Sequence, residues 1–165
     1  MGIQTSLIIK ICDINSKIIA EFEISSCAKS IEGFFHNYGN SLYILGQDLK
    51  ITDFISENEA KKFHFKNIDE SGEHFIGITD FFSASEFLDY IEKVRKHCYI
   101  KILNATTEYI IDTTKWQMTK ESHPEKVRSA VDDSICSYLE LIKLHNLVLF
   151  ASKLNYDVQF TAFSD

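Results

Sequence analysis

Histidine and cysteine are the residue types in this 165-residue chain best suited to catalysis or metal binding, and their spacing argues against both. His36, His64, His74, His97, His123 and His145 form no HExxH or comparable ligand pattern. Cys12, Cys27, Cys98 and Cys136 are scattered without a CxxC pair, which points away from a thioredoxin-like dithiol or a cysteine-rich zinc site. They read as buried free thiols. His64 and His74 lie near Asp69, Glu70 and Glu73, from which a surface metal site could be assembled, but a solvated turn accounts for the same residues. No metal or cofactor is therefore assigned. His145 falls near the centre of an apolar helical face and reads as a hydrogen-bonded core residue. Cys136 and His145 fall on opposite faces of one expected helix, and the adjacent His97 and Cys98 diverge, so neither pair makes a nucleophile and base. Nucleophile elbows, P-loops and dinucleotide-binding glycine patterns are absent from the sequence, and the expectation is that the chain is not an enzyme.

The remaining chemistry is charge. Between Ile51 and Tyr90 stand Asp53, Glu57, Glu59, Asp69, Glu70, Glu73, Asp80, Glu86 and Asp89, against Lys61, Lys62 and Lys66, so this segment carries six of the seven net negative charges. Two near-repeats bracket it, Ile51-Thr52-Asp53-Phe54-Ile55-Ser56-Glu57-Asn58-Glu59 and Ile78-Thr79-Asp80-Phe81-Phe82-Ser83-Ala84-Ser85-Glu86. Each ends in Ser-x-x-Glu, the pattern in which Ser caps a helix and Glu returns to the backbone N–H of the cap. With a pI near 5.3 the surface field repels phosphate backbones and attracts basic proteins, so direct nucleic-acid binding is disfavoured.

These nine acids, with Tyr38 from the aromatic run Phe34 to Tyr38 as an anchor, are the candidate partner-binding residues. The expectation is a small acidic protein-binding inhibitor, of immunity-protein or antitoxin type, that neutralises a basic toxin such as a nuclease by occluding its active site. The alternative is a small enzyme or ligand-binding domain with a pocket between sheet and long helix, where His145 and Tyr138 supply polar groups. An intracellular adaptor or effector is a third reading, and its only hint is Met1-Gly2-Ile3-Gln4-Thr5-Ser6, which fits the loose pattern for N-myristoylation.

The elements that must position these residues follow from periodicity. Thr5 to Cys12 and Lys17 to Ile24 read as a hairpin closed at Asp13-Ile14-Asn15-Ser16, with Ile18, Ala20, Phe22 and Ile24 sharing an apolar face. Ser26 to Ile31 reads as a short helix, Leu42 to Leu45 and Glu73 to Thr79 as strands. Ser56 caps a short helix ending near Phe63 to Phe65. Phe87, Leu88, Ile91, Val94 and Cys98 form one face of a second helix, which Lys93, Arg95 and Lys96 are expected to finish. Tyr99 to Leu103 and Glu108 to Asp112 read as another strand pair. Ser122-His123-Pro124-Glu125 opens a long helix with a stripe of Val127, Val131, Ile135, Tyr138, Leu139 and Ile142. Leu141 to Leu154 is apolar most of the way round, so the later half should be largely buried, and Asn155 marks the helix end. Tyr156 to Ala162 alternates as a final strand.

The expected class is α+β: a single-layer, mostly antiparallel sheet packed against a long C-terminal helix and one or two shorter helices. The length suits one globular domain over residues 1–165, and 45% hydrophobic residues supply a core. No uninterrupted apolar run approaches a bilayer span of about 20 residues, and no secretory leader pattern opens the chain, so the expected location is cytoplasmic.

Overall fold

A computed structural model of the chain describes residues 5–24, 42–44, 47–69, 75–119 and 124–164. The fold is mixed α+β. It begins with a hairpin of β1 (Thr5–Cys12) and β2 (Ile18–Ile24). The turn forms because the Asp13 carboxylate accepts the backbone N–H groups of Asn15 and Lys17, each at 2.9 Å, while Ser16 takes the left-handed conformation at φ 63°. A two-stranded ribbon follows, β3 (Leu42–Ile44) with β4 (Gln47–Leu49), and then a 3-10 turn over Ile51–Asp53. The short helix α1 (Glu57–Ala60) runs into a 3-10 turn over Lys61–Phe63. β5 (Lys66–Asp69), β6 (Phe75–Ile78) and β7 (Phe82–Ser83) lead into two long helices, α2 (Ala84–Thr119) and α3 (Pro124–Lys153), and the strand β8 (Asp157–Ser164).

The main sheet is antiparallel in the order β2-β1-β8-β6-β5, and β7 lies beside β8 beyond the end of β6. Its inner face is set by register: Leu7, Ile9 and Ile11 of β1 lie opposite Ala162, Phe160 and Val158 of β8, and all six are buried. Phe87 of α2 meets Phe160 at 5.2 Å between ring centroids, and Phe82 and Phe63 complete the aromatic layer. The opposite face is mixed: Ile8, Ile76, Ile78 and Phe163 share it with polar groups, among which Ser6 donates to Glu23 at 2.7 Å and Lys10 pairs with Glu21 at 3.6 Å.

The two ends of the helix hairpin are tied where they meet the sheet. Asn155, at φ 55°, ends α3 as its sequence suggests. The N–H groups of Tyr156 and Asn155 return to the carbonyls of Ala151 at 2.9 Å and Ser152 at 3.1 Å, so the last helical carbonyls are satisfied as the chain enters β8. The Tyr156 carbonyl in turn accepts the Ala84 N–H that begins α2, at 3.2 Å, and the Ser85 and Ser152 hydroxyls bond at 3.0 Å.

Several expectations are corrected. Tyr99 to Leu103 and Glu108 to Asp112 are helix, not a strand pair, because α2 continues to Thr119. Lys93, Arg95 and Lys96 therefore lie mid-helix, where Lys96 pairs with Glu92 at 3.5 Å. Cys98 and Ile102 extend the buried face that Phe87, Ile91 and Val94 begin, and burial against α3 outweighs the strand propensity of Tyr99, Ile100 and Ile102. Ile18 does not share the Ala20, Phe22 and Ile24 face: the register passes from Ile11↔Ala20 to Cys12↔Ile18, so an extra residue, Ile19, shifts Ile18 to the other side. On α3, Ile135 and Tyr138 of the expected stripe pack against the core, but Leu139 is 51% exposed and the fully buried positions are Leu141, Leu144, Val148 and Ala151; farther along, Phe150 and Leu154 are also exposed, so the later half is buried on one face only and not largely buried. The stretch Ser134–Lys153 is by length and composition alone long and apolar enough to cross a membrane, and the buried face takes in part of it. Ser26 to Ile31 and the aromatic run Phe34 to Tyr38 lie outside the described residues.

Candidate functional site

The acid-rich segment folds into a cleft between α1 and the first turns of α2. At its edge, Ser56 and Glu59 make the reciprocal cap their spacing predicts: the Glu59 N–H donates to Ser56 Oγ at 3.3 Å, while Glu59 Oε2 accepts the Ser56 N–H at 3.0 Å and its hydroxyl at 2.8 Å. Those hydrogen bonds, hydroxyl first and backbone second, hold the Glu59 carboxyl below its ordinary pKa. On the other side, Glu86 and Asp89 project from one face of α2 at a spacing of three residues. Ile55, Phe63 and Tyr90 form the apolar floor, and the whole encloses about 310 Å³. The Phe63 and Tyr90 rings stack at 5.9 Å with an interplanar angle of 11°. Burial is the main reason the Tyr90 phenol sits well above its ordinary pKa, so it stays neutral.

Two lysines complete the lining. Lys62 reaches Glu86 at 3.8 Å, both side chains 58% exposed, and Lys93 lies along the same wall. The cleft lining is thus only one charge net negative, with Glu59, Glu86 and Asp89 set against Lys62 and Lys93. Glu59 and Glu86 are the terminal glutamates of the two near-repeats, and the fold brings them to the same cleft.

The other acids separate. Asp53, in the 3-10 turn before α1, and Glu57, the first residue of α1, are exposed, and Asp53 accepts the Lys50 N–H at 2.8 Å. Asp80 lies apart, with both carboxylate oxygens on Lys66, at 2.7 and 2.5 Å. Asp69 sits at the end of β5 opposite Ile76, and nothing is described of its side chain. Glu70, Glu73 and Tyr38 fall outside the described residues, as do His74 and Cys27.

His145 is half-buried, its Nδ1 3.4 Å from Asn146 Oδ1, and Tyr138 packs on Tyr99 of α2 at 6.1 Å. Neither lines the cleft. Cys12 and Cys98 are buried as expected, and burial pushes the Cys98 thiol up to about 12, but Cys136 is exposed. Among the described residues no three His, Cys, Asp or Glu side chains gather at metal-binding distance.

Sequence reasoning missed the lysines and the floor. The i, i+4 spacing of Asp89 and Lys93 puts these two on one helical face, whereas no local pattern brings Lys62 to Glu86. Phe63 and Tyr90 carried no signal beyond apolarity. No protein-family model, curated protein or solved structure matches this sequence.

Proposed function

We propose that the chain is a protein-binding domain that holds a basic partner against the α1–α2 face, acting as an inhibitor in the manner of an immunity protein or antitoxin. The observation that carries this reading is the placement of the acids: Asp53, Glu57, Glu59, Glu86 and Asp89 are all exposed along α1 and the start of α2, and three of them converge on one cleft. Such a surface steers a cationic partner into encounter and, seated over an active site built for phosphate, competes for the same basic groups.

Glu57 and Asp89 are the residues to reverse, since both are exposed and neither caps a helix. The wild-type protein and the Glu57→Lys/Asp89→Lys variant are used as bait against lysate of the source cells, and the retained protein is purified and titrated by calorimetry at low and moderate salt. The expected partner is basic, binds with defined stoichiometry, and loses about tenfold or more in affinity on reversal, with the difference shrinking as salt rises. A partner whose affinity is the same for both baits at both salts would overturn the acidic interface.

A further inference from the structure

We infer that the α1–α2 cleft is an anchoring pocket for one arginine side chain of the partner, and that Lys62 is an internal occupant which that arginine displaces. The inference rests on the acidic-interface reading and adds the chemistry of the contact. Three features of the cleft support it. Its volume of about 310 Å³ lies at the small end of ligand pockets, which suits one long side chain better than a cofactor. Its apolar lining of Ile55, Phe63 and Tyr90 offers surface to an aliphatic stem, while Glu86 and Asp89, one turn apart on α2, line the same cleft and supply carboxylates for a planar, multiply donating head group.

The carboxylates also differ in how firmly they are held. Glu59 is fixed by two donors of Ser56, so it presents a stationary charge at the rim. Among the described residues Glu86 is held by Lys62 alone, at 3.8 Å and with both groups more than half exposed. An ion pair so long and so wet contributes little and is exchanged readily. A guanidinium, which can engage a carboxylate through two parallel hydrogen bonds, replaces an ammonium there with better geometry. Lys93 remains on α2 and offsets part of the charge.

The experiment titrates N-acetyl-arginine amide into the wild-type protein and three variants, followed by amide shifts in 1H–15N spectra. Lys61 provides the control: it is exposed, adjacent in sequence and absent from the cleft lining, so Lys61→Ala changes net charge as Lys62→Ala does. The expected result is that shifts concentrate at residues 59–63 and 86–93 and that Lys62→Ala binds the probe about threefold or more tighter than Lys61→Ala. Glu86→Gln, with an unchanged circular dichroism spectrum, should bind it several-fold more weakly than wild type. Equal affinities for the two lysine variants, an unchanged affinity for Glu86→Gln, or shifts elsewhere would overturn the anchoring pocket. If the partner still responds to Glu57→Lys/Asp89→Lys in that event, the acidic interface stands and only the arginine anchor falls.

Discussion

Single side chains set two features of this molecule that patterns do not convey. Thr79 is buried at the point where β6 stops and β7 has yet to start. Its hydroxyl accepts the Phe160 N–H at 2.9 Å, its N–H donates to the Phe160 carbonyl at 2.9 Å, and its own carbonyl accepts from the Gln159 side chain at 3.0 Å. One threonine thus stands in for a missing pair in the ladder and lets two strands share one edge of β8. The Ser56–Glu59 cap and the Asp13 turn were legible because each is closed within five residues; Thr79 bonds across 81 positions, which no local pattern encodes. His97 is the second case. Its ring meets the Phe54 ring edge-on at 5.3 Å, and its Nε2 is buried without a hydrogen-bond partner among the described residues. Burial first, and then Lys101, lowers its pKa below the ordinary 6.5, with Asp53 opposing. The unfolded chain therefore binds a proton at higher pH than the folded one, and stability falls as pH drops through about 6.5. Urea midpoints at pH 7.5 and 5.5 should show a smaller acid-induced loss for His97→Gln than for wild type. Equal losses would assign the pH dependence to other groups.

At the scale of elements, what decides the outcome is which face of a helix meets which neighbour. Helix α3 was expected from Pro124 onward and is there, but its apolar residues cover so much of the circumference that periodicity could not choose among stripes. The structure makes the choice: Leu144 is fully buried and Leu139 is 51% exposed. Leu144→Ala should cost about 2–5 kcal/mol, whereas Leu139→Ala, though within the stripe read from the sequence, should stay within about 0.5 kcal/mol. Chemical denaturation of the two variants separates the assignments, and comparable losses would mean that Leu139 is covered by something this face does not show. The same ambiguity explains the misplaced strand pair. Tyr99, Ile100 and Ile102 favour strands in isolation, yet the spacing of Ile91, Val94, Cys98 and Ile102 keeps a helical face in step with α3. Asn155 was readable as a helix end because a left-handed residue is a local requirement.

For the whole molecule, the strand order joins the ends of the chain: β8, the last element, lies between β1, the first, and β6. Alternation showed that β8 exists; its position depends on long-range register that alternation cannot carry. Both edge strands carry a one-residue bulge, at Ile19 in β2 and at Ile68 in β5, which blunts them against strand addition. The sheet and the helix pair share one cluster of buried side chains, running from Leu7 and Ile9 through Phe87 and Leu144 to Phe160. Two buried thiols report on the two layers: Cys12 ends β1 in the sheet, and Cys98 faces the core from α2. With burial holding the Cys98 thiol up to about 12, and the Cys12 thiol also raised chiefly by burial, neither offers much thiolate at pH 8 until it is opened to water. Cys136 is exposed and should be alkylated by iodoacetamide in the native protein. If sheet and helices form one cooperative unit, peptide mapping across a urea series should show Cys12 and Cys98 losing protection at the same midpoint, coincident with the loss of circular dichroism. Exposure of Cys98 at a clearly lower urea concentration than Cys12 would mean that the helix pair opens on its own while the sheet holds. In that case α2 and the acid-lined cleft it walls would belong to the less stable part of the fold.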